Sequence, residues 1–228
     1  TLIKEIMIKT IVTLIENDRT SNQKIFREDF DLGSYGCFPA CIWNGGRMLT
    51  GEVHGIERMK YIFDWYYKHN IKLQVIFSNG MLKETDIYDR YSNAILEMAI
   101  QYDNTEFKTS SKILETYLKN KHPNIKLVKS IKPISANKAD NIIMEKDLDY
   151  YNGIVLPTFY NKEKIILKDL CKRAKKKGTY LELLVNHCCI KDCPQQYAHL
   201  SSDDTSQLYE TAWNPLAPDL ICQYANKD

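Results

Sequence analysis

The sequence predicts an α/β protein, a parallel (β/α) barrel folded as one domain. Three observations carry that prediction. Short apolar runs alternate with helix-periodic segments six times along the chain. The runs are continuous rather than alternating, as strands buried on both faces require. Polar residues collect just past each run, where parallel α/β folds bind their ligands.

The apolar runs span 37–43, 72–77, 106–109, 125–129, 154–159 and 179–185. Their spacing of roughly 20 to 35 residues suits βα units joined by right-handed crossovers. Helical segments are predicted at 55–69, 84–102, 111–121, 139–151 and 162–177. Ile56, Met59, Ile62 and Phe63 form an apolar stripe on the first, and Ile87, Tyr91, Ile95 and Met98 form one on the second. Ser111 is a plausible N-cap, with Glu115 in the turn beyond it. The run Lys172-Arg173-Ala-Lys175-Lys176-Lys177 before Gly178 reads as a cationic helix end closed by a glycine C-cap. No glycine-rich phosphate loop follows the first run, which weighs against a nucleotide-binding open sheet. The favoured architecture is therefore a TIM-like barrel, with room for one or two irregular or missing units.

Residues 1–34 are read as an N-terminal lead-in, within which 10–15 fits either a strand or an amphipathic helix. Residues 200–228 are read as an irregular C-terminal tail, because Ser201-Ser202-Asp203-Asp204 and two prolines break any period there. The whole of 1–228 is long enough for one barrel domain.

Hydrophobic residues make up 44% of the 228 and charged residues 26%, an ordinary globular composition. No apolar run reaches the roughly 18 to 20 residues that a bilayer crossing takes. The opening segment lacks the apolar core of a signal peptide, so a cytoplasmic address and no membrane partner are expected. A net charge of +2 supplies no field to recruit nucleic acid. The expected partner is a small-molecule or modified-polymer substrate.

Just past the predicted strands stand Asn44, Asn79, Ser110, Ser130, Asn161 and Asn186. Asn44, Asn79 and Asn186 are candidate substrate-binding carboxamides. Arg47 follows Asn44-Gly45-Gly46, where glycines admit close approach of a ligand and a guanidinium can grip a carboxylate or phosphate. Glu182 lies inside an apolar strand, a costly place for a carboxylate without a partner. It and His187 are the candidate catalytic acid–base groups. The alternative for Glu182 is a solvent-facing position on the strand.

The loop after the last strand holds His187, Cys188, Cys189, Cys193 and His199. Thiols and imidazoles this close, in a chain read as cytoplasmic, are more often metal or redox groups than disulfide partners. The candidate metal ligands are Cys188, Cys189, Cys193, His199 and the distant Cys222. An iron–sulfur cluster tolerates such irregular spacing, and zinc is the alternative. Buried structural thiols are the plain reading, preferred for Cys171 on a helix and for Cys37 and Cys41 on one side of the first strand.

The strand Glu182-Leu-Leu-Val-Asn186, followed at once by cysteines, resembles the U32 peptidase-like proteins. The resemblance implies an α/β barrel carrying a four-cysteine iron–sulfur cluster at its rim. It also implies oxygen-independent hydroxylation of RNA bases or quinone precursors as an activity of such proteins. It suggests Cys193 and one of Cys188 or Cys189 as cluster ligands, with Glu182 nearby.

Three functions follow from these readings. The first is a metal- or cluster-dependent barrel enzyme. The second is a metal-free barrel lyase or hydrolase using His187 and Glu182. The third is a non-enzymatic binding module with a structural zinc.

Overall fold

A computed structural model describes residues 11–13, 33–45, 53–132, 137, 141–184 and 193–209. Seven strands form one sheet: β1 (Ile11–Thr13), β2 (Gly33–Gly36), β3 (Lys72–Phe77), β4 (Thr105–Thr109), β5 (Leu127–Lys129), β6 (Gly153–Leu156) and β7 (Tyr180–Leu183). They lie in sequence order and every neighbouring pair is parallel. An open doubly wound sheet would reverse its order partway. Sequential order throughout is the winding of a barrel. Among the described residues β7 does not pair with β1, so the barrel they form is incomplete.

Helices fill the connections: α1 (Ile56–Lys68), α2 (Arg90–Ala99), α3 (Lys112–Lys121), α4 (Glu145–Tyr150) and α5 (Lys164–Lys177). The sixth, α6 (Gln196–Tyr209), follows β7. Asp89 caps α2 by accepting from the Ser92 N–H at 2.7 Å. Ser111 caps α3 as its position predicts, accepting from Leu114 N–H. Gly178 ends α5 with φ 76°, a left-handed turn that suits glycine. Arg173 and Lys177 in that basic run pair with Glu145 and Asp149 of α4.

Side-chain parity divides the strands into two faces. Leu73 and Phe77 of β3, Phe107 of β4, Leu127 of β5 and Ile154 of β6 pack outward in one core with α1, α2, α3 and α5. Ile76, Val128 and Val155 are equally buried but stand outside that core, on the barrel side. Gln74, Glu106, Lys108, Tyr180 and Glu182 share their parity. The barrel interior is therefore largely polar.

Those interior residues also show the curl. Gln74 of β3 donates to Glu182 of β7, four strands away in the sheet. Lys108 of β4 pairs with the same carboxylate at 3.1 Å. A flat sheet would hold strands four places apart near 19 Å from one another at the usual spacing of about 4.8 Å. Only a sheet rolled on itself brings them into contact.

Two expectations are corrected. The run 37–43 is not a strand: β2 ends at Gly36, and the next residues fold into turns closed by Cys41 N–H to Phe38 O and Asn44 N–H to Cys41 O. Pro39 and the positive φ of Ala40 break the extension. Cys37 and Cys41 therefore do not share a strand face. Cys41 is fully buried, where burial pushes its thiol up to about 12. The stretch 200–209 is not irregular but the body of α6, whose Ser202, Asp204, Ser206 and Gln207 are buried against the protein. The remaining strands fall within or beside their predicted runs. The lead-in, residues 1–34, contributes β1 and the first half of β2. Among the described residues no helix is long and apolar enough to cross a membrane.

Two phenols, Tyr151 buried and Tyr180 half-buried, give the fold an alkaline limit. Tyr151 Oη donates to Glu115 at 2.7 Å, and Tyr180 Oη donates to Glu106. Burial first, then the neighbouring carboxylates, push both phenols well above their usual 10.0. The folded state thus keeps protons that the unfolded chain loses. Stability from these groups is full below about pH 10 and falls above it, by about 1.4 kcal/mol per pH unit for each phenol. Urea unfolding between about pH 9 and 11 should show that fall, and Tyr151→Phe should reduce its slope.

Candidate functional site

Polar residues follow the carboxyl ends of the strands and form a rim there. Past β2, Asn44 is completely buried and its amide donates to Phe38 O at 2.6 Å. Its Oδ1 is a buried acceptor with no hydrogen bond among the described residues. Gly45 presses against the end of β3, where a Cβ would stand 2.5 Å from Asn79 N and closer still to the Ser78 carbonyl. Glycine is needed there because two backbones touch, and the contact is with the protein's own chain.

Past β3, Asn79 is also fully buried. Its amide donates to Ile42 O at 2.9 Å and Asp204 O at 3.1 Å, and its Oδ1 accepts from Met81 N–H at 2.9 Å. These contacts tie three segments together at the rim. Past β4, Ser110 Oγ donates to Ser78 O at 2.6 Å. Past β5, Lys132 is buried, and its ammonium contacts the carboxylate of Asp204 from α6. Burial pushes Lys132 down to about 7, with Asp203 pulling the other way. The direct ion pair with Asp204 also favours the charged form, which two buried partners need from each other. Past β6, Asn161 donates to Leu184 O at 3.0 Å and joins the ends of β6 and β7.

Below the rim lies the interior network. The Glu182 side chain is 6% exposed and the Lys108 side chain 11%. The Gln74 amide reaches Glu182, Tyr180 Oη at 3.1 Å and Glu106 at 3.5 Å. Lys72 pairs with Glu106 at 2.9 Å and sits 5.0 Å from the Tyr180 ring centroid. Gln74 Oε1, like Asn44 Oδ1, is a buried acceptor without a hydrogen bond among the described residues. Glu182 is thus an inward carboxylate at the penultimate position of β7, not a surface group. Lys108 is likewise penultimate in β4, so the pair occupies the rimward end of the interior.

The fold resembles that of a U32 peptidase. A solved structure described as the U32 peptidase Mk0906 superposes with a TM-score of 0.53 at 11% identity, covering 87% of this chain and 80% of its own. The distant resemblance in the β7 sequence is thereby matched by a likeness of fold. No protein-family model and no curated protein matches the chain. At 11% identity the U32 likeness concerns the fold alone.

The cysteine loop is only partly described. Asn186, His187, Cys188, Cys189, Arg47 and Cys222 lie outside the described residues. Cys193 is a half-buried free thiol, and His199 is half-buried in α6. Among the described residues no group of three or more His, Cys, Asp or Glu side chains is arranged to hold a metal ion. The two described donors do not by themselves make a centre for zinc, which takes four ligands.

Several interior residues escape a reading by runs. Gln74, Glu106, Lys108 and Tyr180 stand in or beside segments read as uniformly apolar. The signal was present: Glu106 and Lys108 are two apart in a strand, so their side chains share a face. A groove of about 390 Å3 lined by Tyr102, Thr105, Phe107, His122 and Lys126 lies at the amino ends of β4 and β5. That is the end opposite the rim, so it takes no part in the site.

Proposed function

We propose that this chain is an α/β-barrel enzyme acting on a polar substrate at the carboxyl rim of its strands. Glu182 gives and takes the proton, and Asn44 orients the substrate. The observation that carries the reading is the buried Glu182–Lys108–Gln74 network at the rimward end of a polar barrel interior. A carboxylate held by two neighbours in a low-dielectric setting is positioned for acid–base work. The Asn44 and Gln74 acceptors, which have no hydrogen bond among the described residues, suit donors on a substrate. His187, beyond the described residues, is the second proton-handling candidate in this proposal. Asn186 and Arg47, also beyond the described residues, are further substrate contacts in it, whereas the Asn79 amide is engaged by Ile42, Asp204 and Met81 and ties the rim together.

The cysteine loop supports a second component. The U32 likeness favours an iron–sulfur cluster on Cys193 with Cys188 or Cys189, helped by His199 or Cys222, and zinc is the alternative ion. Glu182 and its partners act without reference to that group.

Two measurements test the proposal. Protein purified without oxygen is assayed for iron, zinc and acid-labile sulfide; iron and sulfide near stoichiometry are expected, and metal-free protein removes the cluster. Turnover is followed by mass spectrometry on mixed peptides first, since the neighbour in fold is a peptidase, and then on small polar compounds. Glu182→Asp keeps the charge but withdraws it by one methylene. It should lower turnover by about a hundredfold with the circular dichroism unchanged. Equal turnover in Glu182→Asp and wild type would show that Glu182 is structural.

A further inference from the structure

Helix α6 buries a polar face. Its buried residues are Ser202, Asp204, Ser206 and Gln207, where a surface helix ordinarily buries an apolar stripe. Leu208 alone of its side chains packs against the hydrophobic core, and only partly. The contacts that seat the helix on the rim are polar. Asn79 donates to Asp204 O, the Gly80 N–H donates to Asp204 Oδ2 at 2.6 Å, and Gln207 donates to Cys41 O at 3.1 Å.

The Asp204 carboxylate is completely buried and lies between a backbone N–H and the Lys132 ammonium. A Cβ on Gly80 would stand 3.4 Å from Asp204 Oδ2, 3.6 Å from Lys132 Nζ and 4.0 Å from Ser110 Oγ. Glycine, cation and hydroxyl thus converge on one spot at the ends of β3, β4 and β5. A backbone donor and a buried ammonium beside a glycine are the parts of an anion-binding nook. Here the anion comes from the protein itself.

We infer that this nook is the anion subsite of the rim, with Asp204 standing in for a carboxylate or phosphate group of the ligand. An incoming anion takes the Gly80 N–H and Lys132 from Asp204, and α6 lifts from the rim. The helix is suited to leaving because water and ligand can replace its polar contacts, whereas an apolar seat would hold it. The inference rests on the reading of the rim as the substrate side. It gives that side a preference for anionic substrates and a helix that closes it when none is bound. Because the ligand must displace α6, its apparent affinity is reduced by the fraction of time the helix is seated.

Hydrogen exchange and calorimetry test this without any turnover, so their outcome is separate from the Glu182→Asp result. In Asp204→Asn, amides of 196–209 should exchange about tenfold faster or more, the factor that 1.4 kcal/mol carries, with β3 to β6 unchanged. The same variant should bind inorganic phosphate or acetate saturably, and adding Lys132→Met should abolish that binding. Phosphate without acetate identifies a phosphate subsite, and the reverse a carboxylate subsite. Wild-type exchange rates for α6 in Asp204→Asn, or anion binding that survives Lys132→Met, would overturn the inference. If Asp204→Asn exposes the strands as well, the wild type decides. Phosphate or acetate should speed α6 exchange relative to chloride at equal ionic strength, and no difference among the three anions refutes the subsite.

Discussion

Glu182→Gln should lower the unfolding free energy by about 3 to 5 kcal/mol, the usual result of removing one partner from a buried ion pair. The amide nearly preserves the shape of the side chain, so the loss is electrostatic. Lys108, 11% exposed and 3.1 Å from the missing charge, would keep an ammonium in the barrel without a counter-ion there. Gln74 would face another amide where it now donates to a carboxylate. Lys108→Met should cost a similar amount through the stranded carboxylate. Combining Lys108→Met with Glu182→Leu should recover most of the loss, since apolar pairs of similar volume often replace buried ion pairs at little cost. Denaturant unfolding of Glu182→Leu, Lys108→Met and their double gives the coupling directly. Additive losses would mean that the pair is solvated and the interior wetter than its burial indicates.

Gly153→Ala should be nearly as damaging, at about 2 to 5 kcal/mol. A Cβ at this position would lie 2.6 Å from Tyr180 Oη and closer to the Cζ and Cε2 ring atoms. Gly153 and Tyr180 are paired in register across β6 and β7, so the ring lies over the glycine. An exposed ring would rotate away cheaply. This one donates to Glu106 and accepts from Gln74 at 3.1 Å, so moving it breaks two partly buried hydrogen bonds. Overpacking contributes about 1 to 3 kcal/mol and each stranded polar group a comparable amount. Gly153→Ala with Tyr180→Phe separates the two, because only the steric part should persist. A thermal melt of Gly153→Ala that matches wild type would place the ring elsewhere.

The barrel was legible in the sequence because buried parallel strands leave continuous apolar runs. Lys72–Phe77 was bounded correctly from its own residues, since Val75, Ile76 and Phe77 are flanked by the turn at Asn70 and the polar Ser78. The run at 37–43 misled for a related reason. Phe38, Cys41 and Trp43 are buried under the barrel wall, and burial leaves the same apolar mark on a turn as on a strand. Helix α6 was hidden because its buried face is polar, so hydrophobic periodicity had nothing to detect. Glu182 was visible as an oddity inside an apolar strand. Its partners were not, because pairing between β3, β4 and β7 depends on the curl of the whole sheet. Asn79 was placed correctly just past β3, whereas Asn44 was read at the end of a strand that is instead a pair of turns after β2. That their amides already hold backbone carbonyls could be learned only from the fold.

The order of the strands has a consequence for how the chain matures. Each βα unit docks beside the one made just before it, so the sheet can grow from the amino end during synthesis, each strand pairing with its predecessor in sequence. Gln74, Glu106 and Lys108 then remain hydrated on an unfinished wall until β7 arrives with Tyr180 and Glu182. β7, the last of the described strands, supplies the counter-ion that lets Lys108 lose its water. A nascent barrel lacking β7 would keep an ammonium on its open face, which favours a soluble intermediate over an aggregated one. Substitutions in this network should accordingly speed unfolding far more than they slow folding.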